Sequence, residues 1–362
     1  MSRGDRAGRA LAAVLERAAV TAAQVGSRFP LYADPADGTW TTTGRGSWAG
    51  GFWAGLLWLR ARHTGDAADR RAAAACTARL APWSEADTAT RGLILWYATA
   101  LAEDDGEAAA LRAHAAKACL AAHDPATGTV PWGDAFGGPR LLARVDGVPG
   151  TVPLLAAAGP AGAAAAAAHL HRHLDLCLGS PAQVQPPAWR FDGWDGSWQP
   201  CEEPRPGWSR GSAWLLLAVA DALLDPRVAA HGRRRLLDAA GQLLAQHGVL
   251  SGARLVPPAG AHDPDGPLDS SAAAISAVAL LKLARVPAAW STACSRRGVA
   301  VLSRLAGAHL TAPGDRRPAG MLLDGCYDAD KGLAVRHELI WGDFFLALGL
   351  ASLTGLVDLT RV

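Results

Sequence analysis

The feature that most constrains the fold of this chain is the helical spacing of its apolar residues. Apolar residues recur three and four positions apart in many long segments, whereas the period-two alternation of half-buried strands is scarce. Helices are predicted over residues 10–25, 51–63, 67–80, 90–102, 107–122, 154–178, 212–224, 227–246, 270–283, 288–308 and 339–353. Residues 188–192 and 254–257 are predicted to form short strands within loops. No shift in composition marks a linker, so the pattern predicts a single all-α domain over residues 1–362.

Three connectors between the predicted helices are long and rich in aromatic residues, Gly or Pro. They cover residues 31–51, 126–153 and 181–211. Long loops on a rigid helical scaffold commonly carry the residues that bind ligands or catalyse reactions. We therefore expect the functional site to be assembled from these distant segments.

The balance of charged and apolar residues excludes several classes of partner. Half of the 362 residues are hydrophobic, enough for a large core, and the net charge is +2. Balanced charge gives no basic surface for nucleic acid or anionic lipid. No apolar run is long and uncharged enough to span a bilayer, and residues 1–20 lack the pattern of a signal peptide. These features predict a cytoplasmic protein, a monomer or homodimer, without nucleic-acid or membrane partners.

Cysteine and histidine usage gives no indication of a bound metal. The six cysteines are scattered without a CxxC pair, and no histidines cluster at the spacing of metal ligands. This arrangement is typical of buried free thiols. We expect no metal ion and no organic cofactor.

Tryptophan is unusually frequent, with 14 Trp against three Tyr and six Phe. Most of these residues cluster between positions 40 and 58 and between positions 189 and 214, next to Gly-rich connectors. A Trp ring presents a flat apolar face and one hydrogen-bond donor, which suits stacking on a sugar ring. The alternative is that the rings fill the core of an Ala-rich helical protein, and both interpretations can hold for different members.

One carboxylate, Asp146, lies between apolar segments in the second long connector. An acid in apolar surroundings is costly to desolvate, so it requires a partner or a chemical role. Asp146 could be the N-cap of a following helix, because Asp is a preferred capping residue. It could instead be a proton donor, since an apolar pocket would favour the protonated carboxyl.

Five segments, in order along the chain, resemble signatures of the unsaturated glucuronyl hydrolase family. Residues 48–58 look like W-x-x-G-F-W-x-G-x-L-W, and Asp146 followed seven residues later by Pro153-Leu154-Leu155 looks like the catalytic-Asp segment. Residues 208–214 are similar to W-x-R-G-Q-A-W, residues 269–275 match D-S-S-A-x-A-I, and residues 341–345 resemble the G-D-Y-Y/F segment. The matches extend over nearly the whole chain.

This resemblance implies a six-hairpin (α/α)6 barrel and an unusual glycoside hydrolysis. The family acts on saccharides with a 4,5-unsaturated uronic acid at the non-reducing end. A general acid delivers a proton to C4, water adds at C5, and the resulting hemiketal rearranges to release the next sugar. The resemblance assigns the role of general acid and base to Asp146, and this hydration requires no cofactor.

The chain departs from the family pattern at the second acidic residue. The family carries H-D-x-G-F in a segment that here reads Ala89-Thr90-Arg91-Gly92-Leu93, so Thr90 stands where that Asp is expected. Asp87 lies three residues earlier and is either the second carboxylate or the N-cap of the next helix. A hydroxyl at Thr90 could position water or a sugar oxygen but could not supply charge, so slower or altered chemistry is expected.

The remaining assignments concern substrate binding. Arg210 is the candidate for binding a substrate carboxylate, because its planar fork suits bidentate pairing; it could instead form a structural ion pair with Asp146, Glu202 or Glu203. The candidates for stacking on the sugar are Trp48, Trp53 and Trp214. Gln199 begins a segment that replaces the family's usual approach to W-x-R-G and is a further candidate for binding. Asp269 and Asp343 are predicted to cap helices.

Taken together, the sequence predicts a glycoside hydrolase-like enzyme acting on 4,5-unsaturated uronyl saccharides, with a small carboxylate-bearing saccharide as its partner. Two alternatives stay open. One is a biosynthetic sugar hydratase, dehydratase or epimerase on the same scaffold. The other is a carbohydrate-binding relative without catalytic activity.

Overall fold

The computed structural model describes residues 3–179 and 184–362. The first positions of the predicted connector 181–211 lie outside the described residues. The helices are α1 (Arg3–Val25), α2 (Gly50–Thr64), α3 (Ala67–Ala78), a π-helix (Gly92–Trp96) continued by α4 (Tyr97–Thr99), α5 (Gly106–Ala121), α6 (Thr151–Ala156), α7 (Pro160–Cys177), α8 (Ser209–Leu224), α9 (Pro226–Ala229), α10 (Arg233–Ala245), α11 (Ser270–Leu283), α12 (Ser291–Ala308) and α13 (Ile340–Leu353). The strands are β1 (Phe29–Ala33), β2 (Trp40–Thr43), β3 (Leu142–Arg144), β4 (Ala188–Phe191), β5 (Trp198–Pro200), β6 (Gly325–Asp328) and β7 (Leu333–Leu339).

The helices alternate between an outer and an inner layer along the chain. The inner elements α2, the π-helix with α4, α6, α8, α11 and α13 are buried on almost every side. The outer helices α1, α3, α5, α7, α10 and α12 bury one face and expose the other. A helix that is apolar all round belongs in a core, whereas an amphipathic helix covers one. Among the described residues, none of these helices is long and apolar enough to cross a membrane.

The inner elements form a closed ring. In chain order, α2 contacts the π-helix and α4, the π-helix contacts α6, α6 contacts α8, α8 contacts α11, α11 contacts α13, and α13 contacts α2. Each inner element follows an outer helix, which gives six outer–inner hairpins within the described residues. The all-α (α/α)6 barrel expected from the motifs is therefore confirmed.

Two of the predicted helices are interrupted, and one has a different hydrogen-bonding pattern. The predicted helix 154–178 is divided into α6 and α7 where Gly159 adopts a φ of 91° before Pro160. The predicted helix 227–246 is divided into α9 and α10 at Gly232, which has a φ of 152°. The segment predicted as a helix over 90–102 begins as a π-helix, a geometry that is frequent near functional sites.

Short strands lie in the connections from outer to inner helices, and their pairing links one hairpin to another. One antiparallel sheet has the order β2–β1–β7–β6, and a second has the order β3–β4–β5. The predicted strand 188–192 is confirmed as β4, but the prediction of a strand over 254–257 is wrong, since these residues form neither a strand nor a bridge. The other strands lack the alternation that would reveal them in the sequence.

Three glycines allow the backbones of neighbouring inner elements to touch. A Cβ atom on Gly51 would lie 2.2 Å from the carbonyl oxygen of Leu93, and one on Gly92 would lie 1.9 Å from the backbone nitrogen of Thr151. Gly150 has a φ of 71°, and a Cβ atom there would lie 2.5 Å from the carbonyl oxygen of Gly92. Contacts this short exclude any side chain. These glycines therefore fix the spacing of α2, the π-helix and α6.

A buried ion pair links α1 to β7, and a second buried acid, Asp343, lies beside it. Arg17 of α1 donates to Glu338 at the end of β7, with Nη2 and Oε2 2.7 Å apart, and both side chains are almost fully buried. Burial raises the pKa of Asp343 well above its usual range, and the charge of Glu338 raises it further. The two carboxyl groups share a hydrogen bond, and their proximity favours the protonated form of Asp343. The prediction that Asp343 caps a helix is wrong, because α13 begins after Leu339 with no side-chain cap.

Replacing Gly92 by Ala should destabilise the fold strongly. The added methyl group would meet backbone atoms that cannot rotate away, so we expect a loss of about 3 kcal/mol in the free energy of unfolding. The matched control is Gly241→Ala within α10, where no atom lies within 4 Å and the change should stabilise by about 0.5–1 kcal/mol. Urea unfolding measures both values, and equal effects of the two substitutions would contradict the close approach.

Candidate active site

The segments that precede the inner elements converge on one cavity of about 360 Å³. Its lining includes one residue from the approach to, or first turn of, each inner element: Trp48, Thr90, Asp146, Trp208, His262 and Tyr327. The amino ends of several helices therefore lie near the same space. Helix amino ends carry partial positive charge, which favours anionic groups.

Asp146 lies in this cavity on a single turn of 3-10 helix, Val145–Gly147, directly after β3. Its side chain is 17% exposed, and the neighbouring Val145 and Val148 are buried. Nε of Arg144 donates to Oδ1 of Asp146 at 2.7 Å. Asp146 therefore has a charged partner as well as apolar neighbours. The N-cap interpretation is wrong, because Gly150 occupies the N-cap of α6 without a side-chain bond.

Two buried histidines of α7 hold the backbone on both sides of Asp146. The N–H of Val130 donates to Nδ1 of His169 at 3.0 Å, so Nε2 carries the ring proton and donates to the carbonyl oxygen of Gly147 at 3.2 Å. Nδ1 of His173 lies 2.8 Å from the carbonyl oxygen of His169, and the ring also faces the backbone of Arg144; a neutral imidazole has one N–H and donates to one of these two groups. Burial lowers the pKa of His173 to about 4 and lowers that of His169 well below its usual range. Both rings are therefore neutral near pH 7.

Arg144 is enclosed by aromatic rings. Its Cζ atom lies 5.3 Å from the ring centre of Trp132 and 5.8 Å from that of Trp208, within the range of cation–π contacts. Trp132 and Trp208 line the cavity together with Arg144. Within the described residues, Nη1 and Nη2 of Arg144 have no hydrogen-bond partner.

Arg210 lines the same cavity but is committed to structural bonds. Its Nη1 donates to Oδ2 of Asp269 at 2.7 Å and to the carbonyl oxygen of Cys326 at 2.5 Å, and Nη2 donates to that of Tyr327 at 2.6 Å. The Arg210 side chain is only 3% exposed. The ion-pair alternative is therefore correct in kind, but its partner is Asp269, not Asp146, Glu202 or Glu203. Asp269 also caps α11 through the backbone N–H of Ser271, which confirms that prediction.

The structure places Thr90 in the cavity and Asp87 outside its lining. Thr90 is buried, and its hydroxyl lies 2.8 Å from that of Thr88. Asp87 forms a two-point ion pair with Arg140, with Nε and Oδ2 2.7 Å apart, on a partly exposed surface. The capping interpretation of Asp87 is wrong, because the π-helix begins after Arg91 with no side-chain cap. Asp146 and Thr90 therefore share the cavity without Asp87.

The aromatic candidates are divided between the cavity and the core. Trp48 lines the cavity, and its indole N–H donates to the hydroxyl of Tyr327 at 3.0 Å. Trp214 also lines it, but with 1% of its surface exposed it forms part of the floor. The assignment of Trp53 as a stacking residue is wrong, since Trp53 is 3% exposed within the core and does not line the cavity. Gln199 is exposed on β5, where its amide donates to Ser197, and it does not line the cavity. Its assignment to substrate binding is therefore wrong too.

Sequence reasoning missed most of the cavity lining, including four residues next to the candidate site: Arg144, Trp132, Trp208 and Tyr327. Arg144 had a signal, because residues two apart in an extended segment share a face and Asp146 follows at that spacing. Trp208 opens the W-x-R-G segment, and its position before a helix was available in the sequence. Trp132 and Tyr327 lie in irregular segments or on a short strand, where no periodicity indicates which way a side chain points.

Exposed ion pairs surround the mouth of the cavity. Nζ of Lys331 lies 2.8 Å from Oε2 of Glu203, and Nε of Arg205 lies 3.5 Å from Oδ2 of Asp330. All four residues line the cavity, and each is at least one-third exposed. Pairs this exposed contribute little to stability. They join the segment before α8 to the β6–β7 turn.

The structure is similar to solved structures of unsaturated glucuronyl hydrolases. The enzyme from Bacillus sp. GL1 is 21% identical, with a TM-score of 0.78 and a match that covers 96% of each chain. An unsaturated glucuronyl hydrolase specific for heparin is 20% identical, with a TM-score of 0.81 over 99% of this chain and 98% of that one. A UGL variant with dGlcA-Glc-Rha-Glc is 22% identical, with a TM-score of 0.81 over 95% of this chain and 96% of that one. No family model matches the chain, and no curated protein matches it by sequence.

At these identities the likeness establishes the fold. The similarity extends over nearly the whole length of both chains, as the five motif segments do. The fold implied by the resemblance is confirmed. The residues in the cavity, not the fold, must decide the chemistry.

Lowering the pH should destabilise the protein through His173. Its pKa falls from 6.5 to about 4 on folding, so between these values the unfolded chain binds a proton that the folded chain does not. The part of the free energy of unfolding that depends on neutral His173 is fully present above pH 6.5 and is lost as the pH falls toward 4. The loss is about 2 kcal/mol between pH 7 and pH 5. Urea unfolding of the wild type and His173→Gln at both pH values measures this loss.

The substitution should remove about 2 kcal/mol of the pH dependence, and the exposed control His63→Gln should leave it unchanged. An equal pH dependence in all three proteins would show that His173 is not held neutral by burial.

Proposed function

We propose that this protein hydrolyses saccharides that carry a 4,5-unsaturated uronic acid at the non-reducing end. Asp146 protonates C4 of the double bond, water adds at C5, and the hemiketal that forms rearranges to release the adjoining sugar. Asp146 then takes a proton from the incoming water and is regenerated. The observation that carries the proposal is the position of Asp146, a partly buried carboxyl on a rigid turn facing an aromatic cavity of a hydrolase-like barrel.

The lining of the cavity supports a sugar substrate. Trp48, Trp132 and Trp208 contribute indole rings to a space of about 360 Å³, the size of a small saccharide site. Indole faces stack on the C–H faces of pyranose rings. The solved relatives that support this interpretation include one with dGlcA-Glc-Rha-Glc bound and one specific for heparin.

The rigidity of the Asp146 turn supports a catalytic role. His169 and His173 hold the backbone at Gly147 and Arg144, and Arg144 orients the carboxyl itself. A general acid must remain within hydrogen-bond reach of the atom it protonates, so a fixed turn is an advantage. A surface carboxylate without a chemical role would need no such support.

The chemistry differs from a two-carboxylate mechanism because Thr90 occupies the second position. Thr88 accepts the backbone N–H of Thr90 at 3.1 Å and can donate its own hydroxyl proton to the Thr90 oxygen. The Thr90 hydroxyl can then donate to water or to a sugar oxygen. Because it carries no charge, we propose a slower reaction than a second carboxylate would support.

The test is an ultraviolet assay on a panel of unsaturated disaccharides. Hydration removes the conjugated C4–C5 double bond and its absorbance, so turnover appears as a loss of signal. We expect turnover by the wild type and a loss of at least about 100-fold in Asp146→Asn, which cannot deliver the proton. Saccharide binding by Asp146→Asn should persist.

Asp87→Asn is the matched control, since Asp87 pairs with Arg140 outside the cavity lining and its neutralisation should leave turnover within about threefold. If Asp87→Asn lost turnover and Asp146→Asn did not, the role of general acid would have been assigned to the wrong carboxylate. Absence of turnover by a folded wild type on every substrate would favour a biosynthetic sugar enzyme or a carbohydrate-binding protein.

A further inference from the structure

The cations that line the cavity differ in how many of their donors are already engaged. Arg210 is almost fully buried and spends three donor bonds on Asp269, Cys326 and Tyr327. Arg205 and Lys331 lie at the mouth, where they are 62% and 59% exposed and pair with Asp330 and Glu203. An incoming anion gains the least binding free energy from cations that are exposed to water or already fully hydrogen-bonded.

Arg144 is the exception among the cavity-lining arginines and lysine of the described residues. It is 28% exposed, lies deeper than the residues at the mouth, and uses Nε alone for its bond to Asp146. Its terminal nitrogens, Nη1 and Nη2, form the two-pronged edge of a planar guanidinium and have no described partner. Trp132 and Trp208 flank that plane within cation–π distance and limit its motion.

We propose that Arg144, and not Arg210, recognises the carboxylate of the substrate. The terminal nitrogens of Arg144 bind both carboxylate oxygens, a bidentate arrangement that matches the geometry of a guanidinium. One guanidinium then bridges two acids, the substrate through Nη1 and Nη2 and Asp146 through Nε. This inference rests on the proposed function for the identity of the sugar, but recognition of the carboxylate can be measured without turnover.

The shared guanidinium also accounts for the position of the reacting bond. In a 4,5-unsaturated uronate the carboxylate carbon is attached to C5, and C4 is the adjacent ring atom. A carboxylate held on one edge of Arg144 therefore brings C4 toward the acid held on the neighbouring edge. Arg144 therefore binds the substrate carboxylate and also orients Asp146, the proton donor, so specificity for a uronate is built into the segment that carries the acid.

The experiment measures binding in an Asp146→Asn background, which prevents turnover. The two ligands are an unsulfated disaccharide with a 4,5-unsaturated glucuronic acid and the same disaccharide with its carboxylate converted to an uncharged amide. By titration calorimetry, we expect the carboxylate ligand to bind about tenfold tighter or more than the amide. Adding Arg144→Gln should reduce this preference to within about threefold of unity while changing the affinity for the amide by less than about threefold.

The matched control is Arg140→Gln, the same substitution at an arginine that pairs with Asp87 outside the cavity lining, and it should leave the preference unchanged. Arg144→Lys retains the charge without the fork and should give an intermediate preference, which keeps a test available if the Gln variant fails to fold.

Three results would overturn the inference. The first is an undiminished preference for the carboxylate ligand in folded Arg144→Gln, and the second is an equal loss of affinity for both ligands in that variant. The third is no binding of the carboxylate ligand by Asp146→Asn at millimolar concentration. Intact recognition through Arg144 without turnover by the wild type would instead contradict the proposed hydrolysis alone.

Discussion

The constraint on which the site depends is the direct contact of backbones between inner elements at Gly51, Gly92 and Gly150. A candidate site residue lies a few positions before each of these glycines: Trp48 before Gly51, Thr90 before Gly92 and Asp146 before Gly150. Any side chain at these glycines would separate the elements, and because protein interiors are close-packed, the shift would reach the cavity. The absence of side chains at these three glycines therefore keeps Trp48, Thr90 and Asp146 close together, although they are far apart in sequence.

Arginines that look alike in the sequence have different roles because their donors are engaged to different extents. Arg17 and Arg210 are buried, and each neutralises a buried acid, Glu338 and Asp269 respectively. Removing either would leave an uncompensated buried charge, which is strongly destabilising. Arg144 is less buried, and within the described residues its two terminal nitrogens have no partner, so it can bind a ligand without loss of structure. The arginine of the W-x-R-G segment thus has a structural role, whereas the proposal gives recognition of the ligand to the arginine beside Asp146.

The sequence predicted the layered helices well because both layers leave a pattern. The amphipathic outer helices show a period of 3.6, and the inner helices show long apolar runs bounded by caps such as Asp269. An inner helix is apolar all round, so the sequence does not reveal which face meets the cavity. Trp53 lies within α2 and Trp48 just before it, and no apolar periodicity distinguishes them, although Trp48 lines the cavity and Trp53 lies in the core. Gln199 was misplaced because no period fixes the register of a short strand, and Asp87 because Arg140 is distant in sequence.

In the proposed reaction one guanidinium serves two carboxyl groups, because Nε of Arg144 is bonded to Asp146 and its terminal nitrogens face the substrate. If the substrate carboxylate binds the terminal nitrogens of Arg144, two acidic groups share one positive charge and are held next to each other. Thr90, uncharged and bonded to Thr88, adds no third negative charge to this arrangement. Under this proposal, the uncharged Thr90 and the terminal nitrogens of Arg144 belong to one arrangement of charge, in which a single guanidinium serves Asp146 and the substrate.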